Sequence, residues 1–125
     1  MLETLNRISH DIIGSAFRIH SALGPGLFES AYHAVLVRDL RRKNYFVESQ
    51  KPVPIVFEGV SIKKAFYADI VVAGQVLVEV KSVKDTTAVF TKQVITYLKL
   101  LDLRLGLLLN FGTPSLTIKR IVNQL

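Results

Sequence analysis

Residues 67–82 read Tyr67-Ala68-Asp69-Ile70-Val71-Val72-Ala73-Gly74-Gln75-Val76-Leu77-Val78-Glu79-Val80-Lys81-Ser82. This is the pattern of two short strands with a turn between them. Three ionisable residues, Asp69, Glu79 and Lys81, stand in otherwise apolar surroundings. Strand side chains alternate between faces, which groups Tyr67, Asp69 and Val71 against Ala68, Ile70 and Val72. By the same rule Leu77, Glu79 and Lys81 oppose Val76, Val78 and Val80. The turn decides whether the two acids meet, because only an odd loop sets them on one face. A two-residue Ala73-Gly74 loop would put Asp69 opposite Val78. A three-residue loop, Val72-Ala73-Gly74, places glycine where positive φ is wanted, and pairs Asp69 with Leu77 and Tyr67 with Glu79. The acids are then diagonal neighbours, roughly 7–8 Å apart at Cβ, and can reach one divalent cation between them. The three-residue loop is the expectation.

Upstream, Val60–Val72 reads as the strand that enters this turn. Glu58-Gly59 is a turn, and Tyr45–Phe57 is extended chain. Pro52 and Pro54 remove two backbone donors, so that strand belongs at an edge or is broken at its middle. Leu2–Leu23 is an amphipathic helix with Leu5, Ile8, Ile12, Ala16 (or Ser15), Ile19 and Leu23 on its buried face. Gly24-Pro25-Gly26 stops it. A second helix starts near Leu27 or Phe28 and runs to about Lys43, with Leu27, Ala31, Val35 and Leu40 suited to the core. Glu29 lies in its first turn, where an acid favours the helix dipole. Tyr32 and His33 follow on neighbouring parts of one face.

Downstream, Val83-Lys84-Asp85-Thr86 leads into a helix over about Thr86–Leu101, with Asp85 or Thr86 as N-cap. Ala88 (or Val89), Val94 (or Ile95), Leu98 and Leu101 form its core stripe, and Gln93 and Tyr97 share an adjacent face. Leu105–Phe111 is a buried strand, Gly112-Thr113-Pro114 a turn, and Leu116–Val122 a last strand. The order α-α-β-β-β-α-β-β predicts a mixed α/β (α+β) domain, a central sheet flanked by helices.

The chain of 125 residues, 50% hydrophobic, suits one domain over residues 1–125. It holds no apolar run of about 18 residues, and Glu3, Arg7, His10 and Asp11 interrupt any signal-peptide pattern. A cytoplasmic protein without membrane contact is expected. The absence of cysteine excludes disulfides, thiolate metal sites and a thiol nucleophile within the chain. His10, His20 and His33 lack metal-binding spacing. The formal net charge of +6 favours a polyanionic partner, nucleic acid above all. Arg38, Arg41, Arg42 and Lys43, at the end of the second helix, and Lys84 are candidate phosphate contacts. The high apolar content also allows a homodimer.

Asp69, then Glu79-Val80-Lys81 after a hairpin, then Gln93-x-x-x-Tyr97 on the next helix resembles the PD-(D/E)XK nuclease superfamily, and the Q-x-x-x-Y helix resembles its RecB-like branch. Gly26-Leu27-Phe28-Glu29-Ser30-Ala31-Tyr32 resembles the G-x-x-E-x-x-Y pattern of the GxxExxY family in that superfamily, as do the preceding Ile12-Ile13-Gly14 and Ile19-His20 to Gly26. Ala68 stands where the superfamily's name has Pro. The resemblance spans essentially the whole chain. It implies a restriction-endonuclease-like fold and metal-dependent hydrolysis of nucleic acid, DNA before RNA. Asp69, Glu79 and the Val80 carbonyl would bind Mg²⁺ or Mn²⁺, and Glu29 would hold a metal-bound water or a second metal. Lys81 would orient the attacking water or hold the transition-state oxyanion, while Gln93 and Tyr97 would position the phosphate or Lys81. A solvent-facing strand pair with a Glu–Lys ion pair would carry the same triplet without chemistry. An inactive nucleic-acid-binding or oligomerisation module is the alternative function.

Overall fold

The computed structural model describes the backbone of residues 1–125 and every side chain except those of residues 63–65. Helices α1 (Leu2–Leu23) and α2 (Glu29–Arg42) precede strands β1 (Val47–Phe57), β2 (Val60–Val72) and β3 (Val76–Lys81). Helix α3 (Ala88–Leu101) follows, then β4 (Leu105–Asn110) and β5 (Thr117–Val122). The strands form one mixed five-stranded sheet in the order β1-β2-β3-β4-β5. β3 and β4 run parallel, and every other neighbouring pair is antiparallel. A parallel pair needs a long crossover, which α3 supplies. The expected order of elements and the mixed α/β architecture are both observed.

Each face of the sheet carries its own apolar cluster. Leu5, Ile8 and Ile12 of α1 and Tyr32, Leu36 and Leu40 of α2 pack on Ile70, Val72, Val78, Val80, Leu107 and Leu109. Val94, Tyr97 and Leu98 of α3 cover Val71, Leu77 and Leu108 on the opposite face. Strands covered on both sides must be apolar throughout, which is why β3 and β4 read as nearly unbroken hydrophobic runs. Gly106 lets α3 approach, since a Cβ there would lie 2.8 Å from Val94 Cγ1.

Several expected details are corrected. The inward line of α2 is Tyr32, Leu36 and Leu40 with Val37, while Leu27 and Val35 are exposed and Ala31 is half-buried. Tyr32 can be buried because its hydroxyl finds partners in the preceding loop, and the four-residue spacing then carries Leu36 and Leu40 inward. Leu23, on the last turn of α1, is exposed. Helix α3 begins at Ala88 with Thr87, not Asp85 or Thr86, at its cap, and Tyr97 replaces Ala88 or Val89 in its buried stripe. β1 is an edge strand whose register shifts between Val53 and Ile55, around Pro54. No described helix is long and apolar enough to cross a membrane.

Candidate active site

The β2–β3 register pairs Val72 with Val76, Val71 with Leu77 and Ile70 with Val78. The loop is therefore Ala73-Gly74-Gln75, odd as expected but one residue later than Val72-Ala73-Gly74. Ala73 and Gly74 have φ of 56° and 64°, the sign required at the two centres of a primed turn. The Gln75 N–H donates to the Val72 carbonyl at 3.0 Å, and the Ala73 N–H to the Phe46 carbonyl at 2.7 Å. These bonds choose the register. The expected pairings of Asp69 with Leu77 and Tyr67 with Glu79 are replaced by one that brings Asp69 level with Glu79.

The backbone ladder ends at Ile70–Val78. Just beyond it, side chains take over the exposed backbone donors. Glu79 Oε2 accepts the Asp69 N–H at 2.8 Å, and Asp69 Oδ2 accepts the Val80 N–H at 2.9 Å. The expected alternation fails at the same point. Ala68 joins Val71 and Leu77 in the cluster under α3, while Ile70 and Val72 pack beneath α1 and α2. On β1, Gln50 stands across from Asp69 with φ of 55°, bracketed by the pairs Ser49–Ile70 and Lys51–Ala68. Backbone pairing is interrupted on both sides of Asp69 here, and the acids occupy the opening.

Electrostatics mark the opening as costly. Glu79 is 3% exposed. Burial first, and the Asp69 carboxylate second, push its pKa from 4.5 up to about 8. Burial also raises Asp69, against the Val80 N–H, His33 and Lys81, which lower it. Two acids this close in a poorly solvated site resist ionising together. The only fully buried side-chain oxygen lacking a hydrogen bond among the described residues is Asp39 Oδ2. The second oxygens of Asp69 and Glu79 are thus not sealed in.

The other expected residues approach from two sides. Asp69 lines a cavity of about 380 Å³ with Glu29, Ser30 and His33 of α2, Ser49 and Gln50 of β1, and Val80. Glu29 accepts the Ser82 N–H at 3.4 Å, and Ser82 Oγ donates to the Leu27 carbonyl at 2.6 Å. Tyr32 sets this approach. Its hydroxyl donates to the Gly24 carbonyl and accepts the Leu27 N–H, and its ring stacks on Phe111 at 4.5 Å. Across the sheet, the Lys81 ammonium sits 4.5 Å from the centre of the Phe90 ring of α3. Lys81 therefore turns to α3, whereas Asp69 lines the cavity beside α2. No ion pair joins Lys81 to a carboxylate among the described residues. Burial, then Glu79 and Asp69, raise the Tyr97 hydroxyl, which the Gln93 side chain also touches.

The basic cluster does not join the site. Arg38, Arg41, Arg42 and Lys43 lie toward the end of α2 away from Glu29, about 14–21 Å along a helix rising 1.5 Å per residue. Arg41 donates to the Val47 carbonyl at 2.8 Å and Lys43 to Ser15 Oγ at 2.6 Å, so two of the four stitch elements together. Lys84 is exposed on the connection after β3. No three His, Asp or Glu side chains converge as a metal site among the described residues. The candidate donors are two carboxylates and a backbone carbonyl.

Sequence reasoning missed Asn110 and Gln50. Buried Asn110 ends β4, accepts from the Val83 and Gly112 N–H groups and donates to the Val83 carbonyl. It fixes the chain leaving Lys81. Gly112 allows this close passage, because a Cβ there would lie 2.4 Å from the Val83 nitrogen. A lone amide closing an apolar run was the available signal for Asn110; nothing local announced Gln50.

Comparison with known proteins gives one result. The family model described as PD-(D/E)XK nuclease superfamily matches residues 6–121. No curated protein and no solved structure matches the chain. The match takes in both site helices, β1–β4 and all but the last residue of β5, with Glu29, Asp69, Glu79, Lys81, Gln93 and Tyr97 inside it. The chain therefore belongs to the PD-(D/E)XK nuclease superfamily.

Proposed function

We propose that this protein is a divalent-cation-dependent nuclease hydrolysing phosphodiester bonds of DNA. The observation that carries this is the reciprocal insertion of Asp69 and Glu79 into the open end of the β2–β3 seam. The donor set suits Mg²⁺ or Mn²⁺, which favour carboxylate and carbonyl oxygens. Asp69, Glu79 and the Val80 carbonyl would hold the ion, and Glu29 a water on it or a second ion. An acid whose pKa is raised by burial and by the neighbouring Asp69 carboxylate is one that a doubly positive charge would relieve. A bound cation would supply Lewis acidity toward a phosphate oxygen and lower the pKa of water.

The chain's own groups account for the remaining tasks. The Lys81 ammonium rests on a ring face rather than on a carboxylate. It is free to swing to the phosphate oxygens as negative charge builds there. The raised pKa of Tyr97 keeps its hydroxyl protonated, a hydrogen-bond donor for the same phosphate, with Gln93 orienting it. A water oxygen bonds to phosphorus as the bond to the leaving sugar oxygen breaks; one proton leaves the water and one returns to the leaving oxygen. The net charge of +6 favours a polyanionic substrate. The role of Tyr32 in aiming Glu29 supports the GxxExxY assignment, and the contact between Gln93 and Tyr97 supports the RecB-like one.

The test is cleavage of single- and double-stranded DNA, with RNA as control, in Mg²⁺ and in Mn²⁺. Asp69→Asn and Glu79→Gln should abolish cleavage while circular dichroism stays unchanged. Equal activity in both variants would sink the reading. A second reading, an interaction module forming a homodimer, is favoured by the exposed Val56, Phe57, Val60, Ile62, Phe66 and Tyr67 on the β1–β2 arm. Light scattering separates it from a monomer.

A further inference from the structure

The sharpest unexplained feature of the backbone is Gln50. It sits inside β1 with φ of 55°. Left-handed backbone is rare for a residue other than glycine, asparagine or aspartate, and inside a strand it persists only where the surroundings impose it. The ladder skips Gln50 on one strand and Asp69 on the other, although the pairs on either side keep the same register. No residue is inserted, so this is a rotation rather than a bulge.

The rotation has two consequences. The apolar side chains of β1 change sides: Val47 packs beneath α1 and α2, whereas Val53 packs beneath α3. Ser49 and Gln50, which a regular strand would send to opposite faces, both line the cavity that Asp69 and Glu29 share. In that cavity the Ser49 hydroxyl is engaged by His33 Nε2 at 2.7 Å. The Gln50 carboxamide has no hydrogen bond among the described residues, and the residue is exposed. The cavity, about 380 Å³, is of ligand size. Glu29 and Asp69 give it acidic groups; Ser30, His33, Ser49 and Gln50 add hydrogen-bonding ones.

We propose that Gln50 is a substrate-binding residue, held in left-handed backbone so that its carboxamide meets the nucleotide next to the phosphate bound at Asp69 and Glu79. A carboxamide presents a donor and an acceptor side by side, the arrangement that recognises base edges and sugar hydroxyls. In the nuclease reading Asp69 and Glu29 are engaged with the cation and the phosphate on it, so the group left for Gln50 is the adjoining base or sugar. This deepens the nuclease reading and rests on it.

The experiment compares the parent with Gln50→Gly and Gln50→Asn. Glycine removes the carboxamide and accepts the backbone; asparagine keeps both the carboxamide and tolerance of positive φ. Melting temperature, DNA cleavage in Mn²⁺, and binding of a short oligonucleotide in Ca²⁺ are measured on each. For Gln50→Gly the melting temperature should hold or rise, while oligonucleotide binding weakens about tenfold, the worth of one or two hydrogen bonds. KM should rise with kcat nearly unchanged. Gln50→Asn should fall between the two. A parent that cuts DNA with a Gln50→Gly variant equal to it in KM and binding overturns the proposal and leaves the nuclease reading intact. A parent that binds without cutting, with binding weakened in Gln50→Gly, upholds the subsite and overturns the nuclease reading. A parent that neither binds nor cuts overturns both, and a fall in the melting temperature of Gln50→Gly overturns the account of the strained backbone.

Discussion

The two ends of the β2–β3 hairpin are built from the same strands by opposite rules. Near the turn, Ile70–Val78, Val71–Leu77 and Val72–Val76 pair through the backbone, and all six side chains are buried and apolar. One residue on, the ladder has stopped, and the Asp69 and Glu79 carboxylates bond to each other's strand. The closed end supplies stability, because apolar area leaves water and every backbone group is paired. The open end sacrifices stability, since it buries like charges. Fold and proposed chemistry are thus separated by a few residues along one hairpin, and the closed end holds the open end in place.

The comparison can be broken at either end, and the largest effect should come from the open one. Lys81→Ala should lower DNA cleavage by about 10³-fold, or about 4 kcal/mol in the barrier. Its melting temperature should stay near that of the parent, because the ammonium's contact is a half-exposed ring. Stopped-point cleavage assays alongside thermal melts check this. At the closed end, Leu77→Ala should cost about 3 kcal/mol of stability, the usual outcome of emptying a fully buried leucine site. Urea unfolding measures it, and a loss below about 1 kcal/mol would show that the closed end is not what supports the site.

A smaller effect follows from pH. Glu79 titrates at about 8 in the folded chain against 4.5 as its ordinary value. A raised acid favours the folded state while protonated, so this contribution is full below pH 4.5 and is lost as pH rises toward 8. Glu79→Gln removes that slope. It should therefore be more stable than the parent at pH 8, by about 2 kcal/mol, within a ceiling of roughly 5 kcal/mol for such a shift. Mg²⁺ should stabilise the parent at pH 8 and leave Glu79→Gln nearly unmoved. Parallel stability curves for the two proteins between pH 5 and 8 would remove the account of a Glu79 pKa raised by burial and by Asp69. The smallest effect is at the turn, where Ala73 holds φ of 56°. Ala73→Gly should stabilise by about 1 kcal/mol or less, without altering cleavage, because the register is also fixed by the Phe46 carbonyl.

Much of the fold was legible because its signals are local. Period-two and helical patterns, the Gly24-Pro25-Gly26 stop and the two prolines of β1 each depend on a few adjacent residues. The inward face of α2 was not, because Tyr32 is buried by partners in the preceding loop and on the far strand end, at Gly24, Leu27 and Phe111. The acids and the lysine could be singled out as charges in apolar strands. Their relative directions could not, since strict alternation fails at Asp69 and Gln50, and the positive φ that causes it has no local sequence mark.

The amino-acid sequence by itself determined the order of elements, the odd loop and the residue types of the site. These follow from side-chain periodicity and from the chemistry each residue can do. Only the tertiary structure decided that the loop starts at Ala73, that Asp69 stands level with Glu79, that Lys81 rests on Phe90, and that the basic end of α2 lies away from the site. Each of those depends on where a group on another element lies: the Phe46 carbonyl beneath the turn, the Val80 N–H across the opening, the Phe90 ring under Lys81, the Val47 carbonyl beside Arg41. Hydrogen bonds between segments far apart in sequence leave no periodicity to read, and here they place the chemistry.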